Sequence, residues 1–227
     1  MMPCLGSHVK RAFRRPVLGF LAAALATATQ PNLLSDSERE EGFVLLFDGE
    51  SLDGWDGDPR LWSVSEGAIV GSSDGHSVGT NTYLIHERPF ADFVLRLEVR
   101  LRNGNSGIQF RSTHIPGPGW IVHGYQADLS DAGERSAWGN FYEEKGRGRG
   151  MMATPDEGWR RAKGVVRSRD WNQYEVLAQG DRVRLTLNGK VTFEGTDDRS
   201  GSGVIAIQLH SGPGMQVECR SIRIKPL

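Results

Sequence analysis

The sequence predicts an all-β domain, either a sandwich or a barrel. Apolar and polar residues alternate with a period of two in several stretches, which is typical of strands with one buried face. Glycine is frequent, with 29 copies in 227 residues, as expected for a chain with many turns. Beyond the N-terminal apolar run, no amphipathic stretch is long enough to predict a substantial helix. Many short strands joined by turns favour a sandwich or a barrel.

The predicted strands follow one another from Phe43 to the end of the chain. The first is the apolar run FVLLF (43–47), and the longest, FVLRLEVRLR (93–102), alternates apolar with mostly charged residues. Asn188-Gly189 predicts a two-residue hairpin turn between two later strands, and this dipeptide is the strongest short-range hairpin signal. The other predicted strands centre on 108–110, 205–209 and 217–224.

The faces opposite the predicted core are polar in several of these strands. If such strands are neighbours, a curved sandwich presents their polar face as a groove. The side chains expected on these faces are Arg96, Glu98, Gln109, Arg111, Gln208 and His210.

The N-terminus predicts a signal peptide over residues 1–28. Four basic residues precede the short apolar run VLGFLAAALA (17–26), and Ala26-Thr27-Ala28 follows as a small-x-small cleavage site. We therefore expect an exported protein, periplasmic or secreted, with no membrane attachment after cleavage; an uncleaved anchor is the alternative. Residues 29–42 are polar and predict a linker or a marginal helix, and 43–227 predict a single domain.

The composition argues against several classes of function. Removal of residues 1–28 leaves 23 of the 27 basic residues against all 28 acidic ones, a net charge of −5, which disfavours nucleic-acid binding. Of the two cysteines, only Cys219 stays in the mature chain, so we expect a buried, inert thiol and no intrachain disulfide. The histidines show no metal-ligand spacing. No cofactor and no metal site are predicted, with a divalent cation left as an open alternative.

Side chains suited to binding or catalysis are concentrated in residues 123–150, HGYQADLSDAGERSAWGNFYEEKGRGRG. Aromatic faces can stack on sugars, and carboxylates and amides can hydrogen-bond sugar hydroxyls, so this mixture is typical of a carbohydrate site. The alternative is a set of surface ion pairs. Arg111 is either a surface arginine that is solvated or paired with a carboxylate, or an arginine fork that holds a substrate oxygen. Among the histidines, His210 is the strongest candidate for a functional role.

The ordered motifs resemble the 3-keto-disaccharide hydrolase family over residues 42–227. They are LFDGESLDGW, FVLRLEVRL, NSGIQFRS, GYQADLS, WGNFYEEKGRGRG, DWNQYEV, VRLTLNGK and IQLHSGPGMQVECRSIRIKPL. The resemblance implies a concanavalin A-like jelly-roll sandwich of two antiparallel sheets. It also implies hydrolysis of glycosides whose sugar carries a ketone at C3, and hence a separate sugar oxidoreductase that makes this substrate.

Site residues follow from the resemblance and from the polar strand faces. The resemblance implies roles for Asn105, Arg111, Tyr125, Gln126, Asp128, Trp138, Gly139, Tyr142, Glu143, Gln208 and His210. The predicted catalytic set is Arg111, Asp128, Tyr142, Glu143 and His210. The predicted substrate-binding set is Glu98, Asn105, Gln109, Tyr125, Gln126, Trp138, Arg147 and Gln208.

A mechanism accompanies these roles as a hypothesis. The ketone acidifies the C2 proton, a base removes it, the C1 substituent leaves, and water adds to the enone. Asp128 or Glu143 is the expected base, Arg111 and His210 stabilise the enolate, and Tyr142 or Glu143 donates a proton. Gln126 and Gln208 would hold hydroxyls, and Trp138 would form a stacking wall.

A non-catalytic carbohydrate-binding module is the competing hypothesis, because the same sandwich also occurs in lectins. Convergence of Asp128, Glu143, Arg111 and His210 in one pocket would favour the enzyme, and scattered positions would favour binding alone. A conventional glycoside hydrolase needs two opposed carboxylates, and the strands show no such motif.

Overall fold

A computed structural model describes residues 1, 30–131, 136–148, 156–212 and 214–227 of the chain. The predicted signal peptide lies outside these residues except for Met1. Within the described residues, no helix is long and apolar enough to cross a membrane.

The described residues form fourteen strands and two short helices. The helices are α1 (Asp36–Glu40) and α2 (Glu157–Ala162). The first strands are β1 (Val44–Leu45), β2 (Trp55–Asp56), β3 (Trp62–Ser65), β4 (Ala68–Ser72), β5 (Thr82–Phe90), β6 (Phe93–Arg102) and β7 (Asn105–Ile115). The later strands are β8 (Ile121–Ser130), β9 (Phe141–Glu144), β10 (Asn172–Gln179), β11 (Arg182–Leu187), β12 (Lys190–Thr196), β13 (Gly203–Leu209) and β14 (Gln216–Pro226).

Two antiparallel sheets pack face to face. The eight-stranded sheet has the order β12-β11-β10-β6-β14-β4-β3, with β1 paired to β14, and the six-stranded sheet has the order β2-β5-β13-β7-β8-β9. Alternate residues of β6, including Phe93 and Leu97, are buried in one core with Ile108, Phe110 and Leu129 of the six-stranded sheet. These two sheets confirm the all-β jelly-roll sandwich that the family resemblance implies. The period-two pattern gives each sheet one apolar face, and the two apolar faces form the core.

The predicted hairpin at Asn188-Gly189 is confirmed as the two-residue connection between β11 and β12. Asn188 has φ 46° and Gly189 has φ 79°. Positive φ at both central residues is typical of a type I′ turn, whose twist matches that of the strands.

The segment predicted as a linker packs on the domain from residue 30 onward. Asn32 is buried; its Nδ2 donates to the Gly67 carbonyl at 2.8 Å, and its Oδ1 accepts from the Ser221 backbone N–H at 2.8 Å. Glu38 of α1 accepts a hydrogen bond from Arg223 Nε at 2.5 Å. The marginal-helix alternative is therefore the one observed, and contacts with β14 hold the helix in place.

The β7–β8 hairpin bends over the outer face of the six-stranded sheet, the face that points away from the core. The pairing shifts register between Phe110 and Thr113, which marks a bulge. Beyond the bulge, Val122 is buried against Tyr83 and Ile85 of β5. The Thr82 hydroxyl donates to the Gly119 carbonyl at 2.9 Å, so the hairpin reaches across to β5. The bent hairpin therefore walls one side of this face.

Candidate functional site

Strand register places a set of polar side chains on the outer face of the six-stranded sheet. Directly paired residues share a face of a sheet. Gln208 pairs with Tyr83, and Gln109 pairs with Gln126, which pairs with Tyr142. Gln109, Gln126 and Gln208 are each at most 2% exposed. The groove floor predicted from sequence therefore exists for these residues, but it is buried.

A chain of hydrogen bonds along this floor ends at Asp128. The Ser112 hydroxyl donates to Gln109 Oε1 at 2.7 Å, and Gln109 Nε2 donates to Gln126 Oε1 at 2.5 Å. Gln126 Nε2 then donates to Asp128 Oδ1 at 2.7 Å. Because an amide has distinct donor and acceptor ends, this relay fixes both the amide orientations and the carboxylate.

Gly107 gives the relay the space that it needs. A Cβ atom at this position would lie 2.2 Å from Gln126 Cδ. Gln126 therefore lies directly over Gly107, and any larger residue there would displace it.

Gln208 links a buried carboxylate to a buried tyrosine. Its Nε2 lies 2.9 Å from the Tyr83 hydroxyl oxygen and 3.4 Å from Glu144 Oε2. Its Oε1 is buried, with no hydrogen-bond partner among the described residues. Burial and the nearby charge of Glu144 raise the pKa of Tyr83, so its hydroxyl keeps its proton at neutral pH.

His210 lies next to this floor and lines a cavity of about 590 Å³ together with Asn105, Ser130 and Asp131. Its Nδ1 lies 2.7 Å from the Ser211 carbonyl oxygen. A carbonyl can only accept, so Nδ1 carries the proton in the neutral ring and Nε2 keeps its lone pair. The cavity therefore offers a proton acceptor, His210, beside an amide, Asn105.

Arg111 does not lie on this face, which corrects the sequence interpretation. Its Nε donates to the Ala91 carbonyl at 2.7 Å, its Nη1 to the Gly180 carbonyl at 2.7 Å, and its Nη2 to Asp92 Oδ1 at 2.7 Å. The bulge gives Arg111 a φ of 46° and breaks the alternation that predicted its direction. Its guanidinium therefore ties loops together at one end of the sandwich.

Tyr125, Glu143 and Arg147 also lie away from the outer face. Tyr125 points to the core side, where its hydroxyl is hydrogen-bonded to Asp197. Arg147 pairs with Asp197 at 2.7 Å and also pairs with Glu143. Burial and the bond to Asp197 raise the pKa of Tyr125 to about 12. Burial opposes ionisation of Glu143, but hydrogen bonds from Arg147 outweigh it and lower the pKa of this carboxyl.

Two further predicted residues lie elsewhere. Glu98 is on the outer face of the opposite, eight-stranded sheet, where it accepts from Arg220 Nε at 2.6 Å. Trp138 is buried in the core and stacks on Tyr174, with ring centroids 6.5 Å apart, although it also lines a second cavity. Glu98 therefore lies on the other sheet, and the Trp138 ring lies on the core side of the sandwich.

A family model for the 3-keto-alpha-glucoside-1,2-lyase-like domain matches residues 42–225. The chain belongs to this family. Its members are glycoside hydrolase-like. A curated relative, a 3-keto-disaccharide hydrolase of Bacteroides thetaiotaomicron, is 31% identical over 84 residues. That match covers 33% of this chain and only 29% of the relative.

Solved structures show the same fold. A putative glycosyl hydrolase from Parabacteroides distasonis is 22% identical with a TM-score of 0.62, and the match covers 87% of this chain and 100% of that one. A β-glucanase from Bacillus licheniformis is 9% identical with a TM-score of 0.50, over 82% of this chain and 99% of that one. At these identities the likeness establishes the jelly-roll architecture.

In this 3-keto-alpha-glucoside-1,2-lyase-like domain, sequence reasoning missed Tyr83 and Glu144. Glu143 and Glu144 are adjacent, so only one of them can face the floor, and the pairing of Gly124 with Glu144 selects the second. Tyr83 lies in an apolar run that carries no polar signal. No group of three possible metal ligands occurs among the residues that the structure describes.

Proposed function

We propose that this protein cleaves the glycosidic bond of 3-keto-glycosides by C2 deprotonation, elimination and hydration. Membership of the 3-keto-alpha-glucoside-1,2-lyase-like family supports the substrate class. The observation that carries the mechanism is the His210 cavity, which is lined both by a ring nitrogen with a lone pair and by Asn105.

The ketone at C3 makes the C2 proton removable. In the proposed reaction, His210 Nε2 accepts this proton and an enolate forms at the C3 oxygen. The proposal assigns the stabilisation of that charge to the amide N–H of Asn105, because this residue lines the same cavity. Asn105 takes the role that the sequence had given to Arg111, because Arg111 is engaged elsewhere.

Elimination follows when the enolate expels the C1 substituent. The C1–O bond breaks, the C1–C2 double bond forms, and the proton held by His210 passes to the leaving oxygen. Water then adds to C1 of the enone while a proton returns to C2, so the net result is hydrolysis. Because one residue accepts and returns the proton, the two opposed carboxylates of a conventional glycosidase are not required.

The Asp128 carboxylate and the Gln208 amide have binding roles in this proposal. Asp128 is two residues from Ser130 on the same face of β8, and Ser130 lines the cavity. Gln208 of β13 is likewise two residues before His210, which directly follows the strand. Because two residues along a strand span about 7 Å, both groups can reach a sugar ring seated in the cavity.

The discriminating experiment compares a 3-keto-glucoside with its unoxidised parent in D₂O. We expect release of the aglycone from the ketone alone, with deuterium at C2 of the product. Deuterium appears because the C2–H bond breaks and reforms in the proposed route. Equal cleavage of the parent, without deuterium at C2, would support direct hydrolysis instead.

Matched histidine variants test the proposed base. His210→Asn should lower kcat by at least about 100-fold, since positioned bases contribute 10²–10⁴-fold. His123→Asn, on the exposed side of β8, should leave kcat unchanged. Full activity of the His210 variant would exclude this assignment.

A second candidate, carbohydrate binding without catalysis, is favoured by one observation. Arg111 and Glu143 do not join Asp128 and His210, although their convergence was the feature expected of an enzyme. Calorimetric binding of the 3-keto-glucoside without any turnover would establish this alternative.

Export and an upstream oxidoreductase remain parts of the proposal. Mass spectrometry of the mature N-terminus after expression tests cleavage after Ala28.

A further inference from the structure

A second cavity, of about 410 Å³, shares lining residues with the His210 cavity. Ser130 and Asp131 line both cavities. The second cavity is bounded by Trp138 and by Trp159 of α2, with Lys163 at the end of that helix. The two cavities therefore adjoin at Ser130 and Asp131.

The described walls of the second cavity are mainly apolar. Trp138 is only 4% exposed and is held by stacking on Tyr174, so its ring is a rigid wall. Trp159 and Val166 are half-buried and pack against the core. Rigid aromatic and branched aliphatic surfaces bind flat apolar groups by burial and stacking.

Three of the polar residues around this cavity, Asp131, Ser136 and Ser168, already bond to the protein. The Ser136 hydroxyl donates to the Ser130 carbonyl at 2.5 Å, and the Ser168 hydroxyl donates to Asp131 Oδ1 at 3.4 Å. Arg169 Nε lies 3.9 Å from the other oxygen of Asp131. A sugar ring would need several polar partners here, whereas an aromatic ring needs few.

We propose that this second cavity is the subsite for the leaving group and that it favours an aglycone with an aromatic ring. The inference rests on the proposed function, because that function places the sugar beside His210. Trp159 is then a specificity-determining residue that contacts the aglycone and takes no part in proton transfer.

Benzyl and methyl 3-keto-glucosides of the same anomeric form provide the test. Benzyl alcohol and methanol have nearly the same acidity, so a difference in kcat/KM reports aglycone binding and not leaving-group quality. We expect the benzyl substrate to have about a tenfold higher kcat/KM, in line with about 1.4 kcal/mol of extra binding per tenfold change.

Three tryptophan variants separate the subsite from a general loss of structure. Trp159→Ala should bring the benzyl-to-methyl ratio of kcat/KM to about one, and Trp159→Phe should keep most of the benzyl advantage. Trp171→Ala is the matched control, because Trp171 stacks under Arg100 and Arg220 on the opposite sheet. This variant should not change the benzyl-to-methyl ratio of kcat/KM. An unaltered benzyl preference in the Trp159→Ala variant would overturn the proposal.

Calorimetry with the unoxidised benzyl and methyl glucosides keeps the two proposals distinguishable. If neither ketone is cleaved but benzyl binding is tighter and depends on Trp159, the proposed reaction is wrong and the subsite stands. If the ketones are cleaved without any benzyl preference in turnover or binding, the subsite is wrong and the reaction stands.

Discussion

Replacement of Arg111 by alanine should destabilise the protein by about 3–5 kcal/mol without acting on the chemistry. The side chain is fully buried, and its donors reach the carbonyls of Ala91, Gly180 and Ser200 at 2.7–3.3 Å. Losing each partly buried carbonyl contact costs about 1 kcal/mol, and loss of the packed alkyl chain adds to that. The Asp92 pair contributes little, because that carboxylate is 39% exposed and water can replace the arginine.

Arg111→Lys should lower the free energy of unfolding by less, about 2 kcal/mol, because the charge stays but a single ammonium cannot make all the hydrogen bonds of the planar guanidinium. Urea unfolding followed by tryptophan fluorescence measures both losses. Turnover measured well below each unfolding midpoint should equal that of the unmodified protein, since no described contact of Arg111 lies on the outer face.

One result would refute this reasoning. If Arg111→Lys kept the unfolding midpoint but lost turnover more than about 100-fold, Arg111 would act in the reaction, as the sequence had suggested.

Three further predictions concern the hydrogen-bond relay through Gln126, the ion pair between Asp197 and Arg147, and the buried thiol of Cys219. Gly107→Ala should displace Gln126 and lower kcat at least tenfold, with a stability cost of about 1–3 kcal/mol for overpacking, as kinetics and urea unfolding would show. Burial opposes ionisation of Asp197, but hydrogen bonds from Arg147 and other groups outweigh it and lower its pKa. The resulting stability is present above the unfolded pKa of about 3.9 and is lost as pH falls through the lower folded pKa. The unmodified protein should therefore have a higher Tm than the Asp197→Asn variant at pH 7, and this difference should decrease as the pH is lowered to 3. Burial raises the pKa of Cys219, so a thiol reagent should modify it in urea but not in the native protein.

The sequence predicted the fold well because a sheet with one buried face imposes a period of two. The alternate apolar residues of β6, from Phe93 to Leu101, are all buried, as the alternation required. The Asn188-Gly189 turn was equally predictable, because few other dipeptides tolerate positive φ at both positions. The contacts of Asn32 with the domain could not be predicted, because its partners Gly67 and Ser221 are distant in sequence.

The candidate site was predictable only where the alternation is unbroken. Gln126, Asp128 and Gln208 were correctly expected on one polar face, because each lies in a regular strand. Arg111 was placed wrongly because a bulge turns it toward the loops at one end of the sandwich. Glu143 was chosen over Glu144 because composition cannot distinguish adjacent carboxylates, and a one-residue change of register exchanges the faces.

The sequence by itself determined the two-sheet architecture, the family and the types of residue available for chemistry. Each of these depends on local periodicity or on the order of motifs along the chain. Only the tertiary structure decided which of those residues meet. The bulge at Arg111, the pairing that turns Glu144 toward Gln208 and the proximity of His210 to Asn105 all arise from contacts between distant strands. Such contacts depend on strand register and order, which local sequence patterns do not encode.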